Sequence, residues 1–169
     1  MTDNVHPIRP ATPARPVRPV TTTTGRDAQP ATGAGDLIHG RTWQLTFDER
    51  PTPQNAYRRL HHHQRAAYDR RWRNTFAWLA RQAHLPALDM VSITVAQACH
   101  RPPLPDVGAC FATAKAAIDG LVDAGVIPDD NPAHVKFLGF AAPERGPIDL
   151  FALIVEELTH QPLEGDPTP

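Results

Sequence analysis

The sequence predicts a small α/β (α+β) domain: a mixed sheet of about four strands covered by two helices, in the order strand, helix, strand, helix, strand, strand. Three observations predict it. The chain has 169 residues, a length suited to one domain around one core. Its apolar residues, 41% of the total with Ala, Tyr and Cys counted, recur at period two in several short segments and at helical spacing in two longer ones. Proline, with 19 residues, is concentrated at the start and in the segments between those patterns.

Residues 1–40 are rich in Pro, Thr, Ala, Gly and Arg and hold no aromatic residue. Such a segment has too little apolar surface to offset its ordering entropy, and it is expected to be a disordered, partly polyproline II tail. The domain is expected over 41–158, with 159–169 a flexible C-terminal tail. Trp43, Leu45 and Phe47 alternate with polar residues and predict the first strand. The prolines of ERPTPQN end it. Residues 56–84 then keep helical spacing through Leu60, Tyr68, Trp72, Phe76, Leu79 and Ala83, with Gln64 interrupting the apolar stripe. Pro86 stops that helix.

Met90, Val91, Ile93, Val95 and Ala96 predict a second strand, closing near His100. A second helix is expected from about Val107 to Ala124. Cys110, Ala114, Ile118 and Leu121 form its buried stripe, Asp106 precedes it as a potential N-cap, and Gly125 fits the C′ position. Val135, Phe137, Leu138 and Phe140 predict a third strand, PERGP a turn, and the apolar run Leu150–Val155 a fourth, central strand.

Formal net charge is −1, so bulk charge points to neither nucleic acid nor membrane. No apolar run approaches the roughly 20 residues that span a bilayer, and the N-terminus lacks a signal-peptide core. The two cysteines, Cys99 and Cys110, show no disulfide-framework spacing. A cytoplasmic protein with reduced thiols is expected.

Charge patterning along the chain is more informative. The 56–84 segment carries Arg58, Arg59, Arg65, Arg70, Arg71, Arg73 and Arg81 against a single acid, Asp69. That face matches a track of nucleic-acid phosphates, or else a charged solvated helix face. Its aromatic residues fall on the apolar stripe and read as core. His61, His62 and His63 invite a metal reading, but consecutive helical residues point about 100° apart, which argues against one shared ion. Cys99, His100, Cys110 and His134 match no usual zinc spacing and read as buried thiols with unrelated histidines.

The stretch KAAIDGLVDAGVIPDD, residues 115–130, holds the densest candidate chemistry. Lys115 and Asp119 stand four apart on a helix, as an exposed ion pair would. Asp129 and Asp130 follow just past its end, before Asn131-Pro132. Turn chemistry accounts for one aspartate there; the repulsion of two adjacent acids is what a cation relieves.

The same stretch resembles the core motif of RusA-type Holliday junction resolvases, which runs roughly D-x-D-N-x-x-K-x-x-x-D-A-L-x-x-x-G-V-x-x-D-D. Lys115, Asp119, Leu121, Gly125-Val126 and Asp129-Asp130 match it, and Gly120 replaces its alanine. The PTPQN loop is similar to the family's Pro-rich, Asn-containing segment. The leading aspartates of the motif fall on Ala109 and Phe111, and its asparagine on Ala112. The nearest upstream acid is Asp106.

The resemblance, covering residues 41 to about 157, implies a RusA-like fold and a homodimer. It implies an Mg²⁺-dependent endonuclease (Mn²⁺ substituting) that acts on branched DNA, a four-way junction, in recombination, repair or phage DNA processing. The catalytic set it implies is Lys115, Asp130 and Asp119, with Asp106, Asp130 and Asp129 as metal ligands. Arg58, Arg59, Arg65, Arg70, Arg71 and Arg73 would contact DNA. The alternative is a degenerate relative that keeps the fold and basic surface for binding alone.

Overall fold

The computed structural model describes residues 37–160. Of the expected tails at 1–40 and 159–169, residues 1–36 and 161–169 lie outside the described residues, and 37–40 and 159–160 belong to strands rather than tails. The element order is β1 (Leu37–Phe47), α1 (Gln54–Arg59), α2 (His62–Gln82), β2 (Met90–Cys99), α3 (Phe111–Asp123), β3 (Val135–Phe140), β4 (Glu144–Arg145) and β5 (Leu150–His160). The α+β class stands, with a sheet of five strands rather than four and three helices rather than two. Both ends of the domain extend into strand, so β1 begins before Arg41 and β5 runs past Val155 to His160.

The sheet order is β1-β5-β2-β3, with the two-residue β4 beside the end of β2. β5 pairs antiparallel with both β1 and β2, which gives its apolar run the expected central place. β3 and β4 run parallel to β2. The β2–β3 connection therefore needs a crossover, and α3 supplies it. PERGP, expected as a turn, contributes Glu144 and Arg145 to β4, opposite Ala98 and Cys99.

Pleat alternation explains the core. Leu45, Leu153 and Val95 stand in one cross-strand row, and Trp43, Val155 and Ile93 in the next. Trp72 and Phe76 of α2 press on that face, edge-on to Phe151 at ring-centroid separations of 5.2 and 5.5 Å. Cys110, just before α3, and Ala114, Ile118 and Leu121 within it complete the layer. Each fully buried large side chain contributes about 1.5–3 kcal/mol of apolar transfer energy. Thr42, Gln44, Thr46, Ser92 and Thr94 occupy the alternate positions and face away from the helices.

The long basic helix is two helices. Leu60 and His61 are both extended, with ψ of 142° and 151°, and break the run. Gln64, the gap in the apolar stripe, is the N3 residue of α2. Its side-chain oxygen accepts the His61 N–H at 3.0 Å, satisfying one donor at the helix start.

α3 starts later than expected. Asp106 is not its N-cap: the helix begins at Phe111 after Cys110, and Asp106 offers only its backbone carbonyl, to Ala109 N–H at 3.0 Å. Gly125 holds φ +74° at C′. Gly125 N–H donates to Val122 O at 2.9 Å and Val126 N–H to Leu121 O at 3.0 Å, the paired bonds of a Schellman ending. That ending turns the chain back toward the outer face of α3.

Candidate functional site

The outer stripe of α3 carries Lys115 and Asp119, one turn apart. Lys115 Nζ donates to Asp119 Oδ1 at 2.5 Å. The loop after the Schellman turn returns Asp130 to the same ammonium, with Oδ2 at 2.5 Å. Three residues of the motif therefore meet at one point. The Lys115 side chain is about half exposed. Burial lowers its pKa, but the hydrogen bonds and charges of Asp119 and Asp130 outweigh that effect and hold it above its ordinary value.

Asp129 is used differently from its neighbour. Its carboxylate accepts the Asp130 N–H and the Asn131 Nδ2–H, both at 2.8 Å, and Asn131 Oδ1 accepts the Ala133 N–H at 2.8 Å. This is local turn chemistry. The Asn131 hydrogen bond, then the backbone N–H of Asp130, keep the Asp129 carboxyl below its ordinary range. Asp129 builds the loop and Asp130 is delivered by it.

Asp106 lies elsewhere. It lines a depression of about 400 Å³ between the loop after β1 and the loop before α3, with Arg50, Gln54, Asn55, Leu104 and Val107. Neither Lys115 nor Asp130 lines it. Gln54 fixes these loops together: its N–H donates to Ala109 O at 2.7 Å and its side-chain oxygen accepts from Ala112 N–H at 3.3 Å. The expected trio of Asp106, Asp129 and Asp130 does not form one cluster. Among the described residues, the one group of three metal-ligating side chains within mutual reach is His61, His62 and His63.

Mg²⁺ binds oxygen at about 2.0–2.1 Å, so two of its ligand atoms stand about 3–4 Å apart, and it typically uses one or two carboxylates with water and substrate phosphate. Asp119 Oδ1 and Asp130 Oδ2 each lie 2.5 Å from Lys115 Nζ, so they are separated by no more than twice that distance. The donor type fits, and this upper bound admits the spacing the ion needs. The pair that fits is Asp119 with Asp130, rather than Asp106 with Asp129 and Asp130. The Lys115 ammonium offsets the repulsion between the two carboxylates.

The expected arginine track divides. Arg71 forms a two-point ion pair with Glu49, and Arg73 another with Asp123. Arg81 donates to the Asp123 backbone oxygen at 2.6 Å. These residues tie α2 to the end of β1 and to α3. Among the described residues, Arg58, Arg59, Arg65 and Arg70 take part in no ion pair. Asp69 accepts the Tyr57 O–H at 2.8 Å, and that bond joins α1 to α2. A groove of about 350 Å³ between α2 and α3, lined by Asp69, Arg70, Arg73, Asn74, Ala116 and Asp119, connects the basic helix to the acidic stripe.

Sequence reasoning passed over Asp123 and Asn74. Asp123 stands four residues beyond Asp119 on the same stripe, a spacing that could have drawn it out. Asn74 carries no comparable signal, because only the packing of α2 on α3 brings it to the groove. Cys99 and Cys110 are buried, as expected of core thiols, with Gln97 Nε2–H donating to Cys110 Sγ at 3.0 Å. His134 is held by the Asp89 carbonyl at 2.7 Å. No helix among the described residues is long and apolar enough to cross a membrane. No family model matches the chain, and no curated protein matches it.

Proposed function

We propose that this chain is an Mg²⁺-dependent, structure-specific endonuclease of the RusA-like kind, acting as a homodimer on four-way DNA junctions in recombination, repair or phage DNA processing. The observation that carries the reading is the convergence of Asp119 and Asp130 on Lys115, beside a groove that leads to Arg70. Asp119 and Asp130 would hold the ion, with Mn²⁺ able to replace it. Bound there, the ion supplies charge to the phosphoryl oxygen and lowers the pKa of an attacking water. Lys115 would offset charge that develops on the phosphate oxygens. The water oxygen bonds to phosphorus as the bond to the leaving sugar oxygen breaks, and that oxygen takes up a proton. Arg58, Arg59, Arg65 and Arg70 bind backbone phosphates. Two copies suit a junction whose near two-fold symmetry presents two matching strands.

A second reading has its own support. The positions of the motif's leading ligands hold Ala109, Phe111 and Ala112, and Asp106 lines a separate depression. A relative that binds junctions without cutting them would show that pattern.

The test is a labelled four-way junction incubated with Mg²⁺ or Mn²⁺ and either wild type or Asp130→Asn. Symmetric nicking by the wild type, lost in the variant while binding persists, supports the nuclease. Salt-sensitive binding with no cutting in either metal selects the binding relative. Neither binding nor cutting rejects both.

A further inference from the structure

His61, His62 and His63 stand at the joint between α1 and α2, exposed and separate from the acidic stripe. One imidazole nitrogen from each lies within 4.8 Å of those of the other two. Ring centroids are 3.8, 4.1 and 5.3 Å apart. The helical fan of about 100° per residue would separate three consecutive side chains. His61 is the extended N-cap and lies outside that fan, while the helical His62 and His63 rings nonetheless approach to 3.8 Å. The bond from His61 N–H to Gln64 fixes that non-helical backbone, which brings the first ring alongside the other two.

We propose that these three imidazoles form a site for one borderline divalent transition ion of the Zn²⁺, Ni²⁺ or Cu²⁺ class. Imidazole nitrogen suits those ions and is a poor ligand for Mg²⁺ or Ca²⁺. Zn–N bonds of about 2.0–2.1 Å place tetrahedral donors roughly 3.4 Å apart, and exposed rings close that gap by side-chain rotation. Water takes the fourth position. Arg58, Arg59 and Arg65 are close in sequence, and the start of a helix is a positive dipole end, so local charge opposes a cation. Affinity therefore comes from chelation by three donors. A bound ion would clamp the α1–α2 joint and add positive charge at one end of the basic helix. The site is independent of the proposed nuclease centre, in residues and in metal class.

The test is titration of the full chain with Ni²⁺ and with Zn²⁺ by calorimetry, with Co²⁺ absorption as a second readout. His61→Ala, His62→Ala, His63→Ala and the triple variant are compared with wild type. All three side chains are exposed, and circular dichroism checks that each variant folds. One equivalent of ion is expected to bind wild type and to be lost in the triple variant. Each single variant should weaken binding by about tenfold or more, ~1.4 kcal/mol. Millimolar Mg²⁺ should not compete. Unchanged binding by the triple variant would place the ion on other histidines and overturn the proposal. Single variants that each keep wild-type affinity would mean independent imidazoles and overturn the chelate, and competition by Mg²⁺ would overturn the metal class.

Discussion

Gly120 sits where α3 crosses α2, and replacing it with alanine separates close backbone approach from simple helix propensity. A Cβ at this position would stand 2.4 Å from Arg73 O, 2.9 Å from Ala77 N and 3.2 Å from Phe76 Cβ. Two of these atoms are backbone of the long helix α2, so no rotamer change relieves the clash. The helices must move apart where Phe76, Ala77 and Leu121 are buried. Alanine gains about 1 kcal/mol over glycine in a helix interior. Overpacking costs about 1–3 kcal/mol and more when backbone must shift. The cost at this crossing belongs at or above the upper end of that range, which leaves a net destabilisation of ~2 kcal/mol. For a urea m-value of about 1–3 kcal/mol/M, the midpoint falls by roughly 1 M. Gly125→Ala is the control: it faces no atom within 4 Å, though φ is +74°, so it carries only the left-handed strain of about 1–2 kcal/mol. Equilibrium urea unfolding of both variants measures the difference. A Gly120→Ala protein as stable as wild type, or more so, would refute the close-approach argument.

Other outcomes follow from the same contacts. Removing Arg65 or Arg70 should make the salt dependence of junction binding shallower by about one unit of log–log slope each, while Arg73→Gln should act mainly by lowering the unfolding midpoint, since Arg73 is engaged by Asp123; the reverse pattern would return Arg73 to the phosphate track. Cys110 is buried and its thiol is pushed up to about 11 by that burial, and Cys99 is also buried, so neither should react with a thiol reagent at neutral pH until urea unfolds the chain. Arg73 holds the Asp123 carboxyl, and Arg41 that of Glu157, below their ordinary values of 3.8 and 4.5. These groups stabilise the fold above those values, and the contribution is lost as pH falls through the lower folded values. Urea midpoints measured from about pH 6 to about pH 3 should therefore drop toward the acid end, and less so in a variant lacking both carboxylates.

Much of the architecture was legible because it is local. Alternation in Trp43, Leu45 and Phe47 specified a half-buried strand, and the unbroken apolar run from Leu150 specified a central one. Gly125 ended α3 as its type required. The α1–α2 break carried no proline or glycine to announce it, and Gln64 looked like a flaw in a stripe until its capping bond was seen. In the candidate site, Lys115 and Asp119 were readable as helical neighbours. A turn role for one of Asp129 and Asp130 was readable from Asn131-Pro132, but Asp129 was expected as a metal ligand and only the loop contacts show it to be the turn residue.

What the sequence determined by itself is the set of segments that repeat at the strand or helix period and the signals that stop them, because those depend on neighbours within a few residues. Which charges meet was decided only by the tertiary structure. Arg71 finds Glu49 across the end of β1, Arg73 finds Asp123 across the helix pair, and Asp130 returns to Lys115 around the end of α3. Ion pairing depends on distance in space. The helix crossing and the loop path fix that distance, and neither is written in the spacing of residues along the chain.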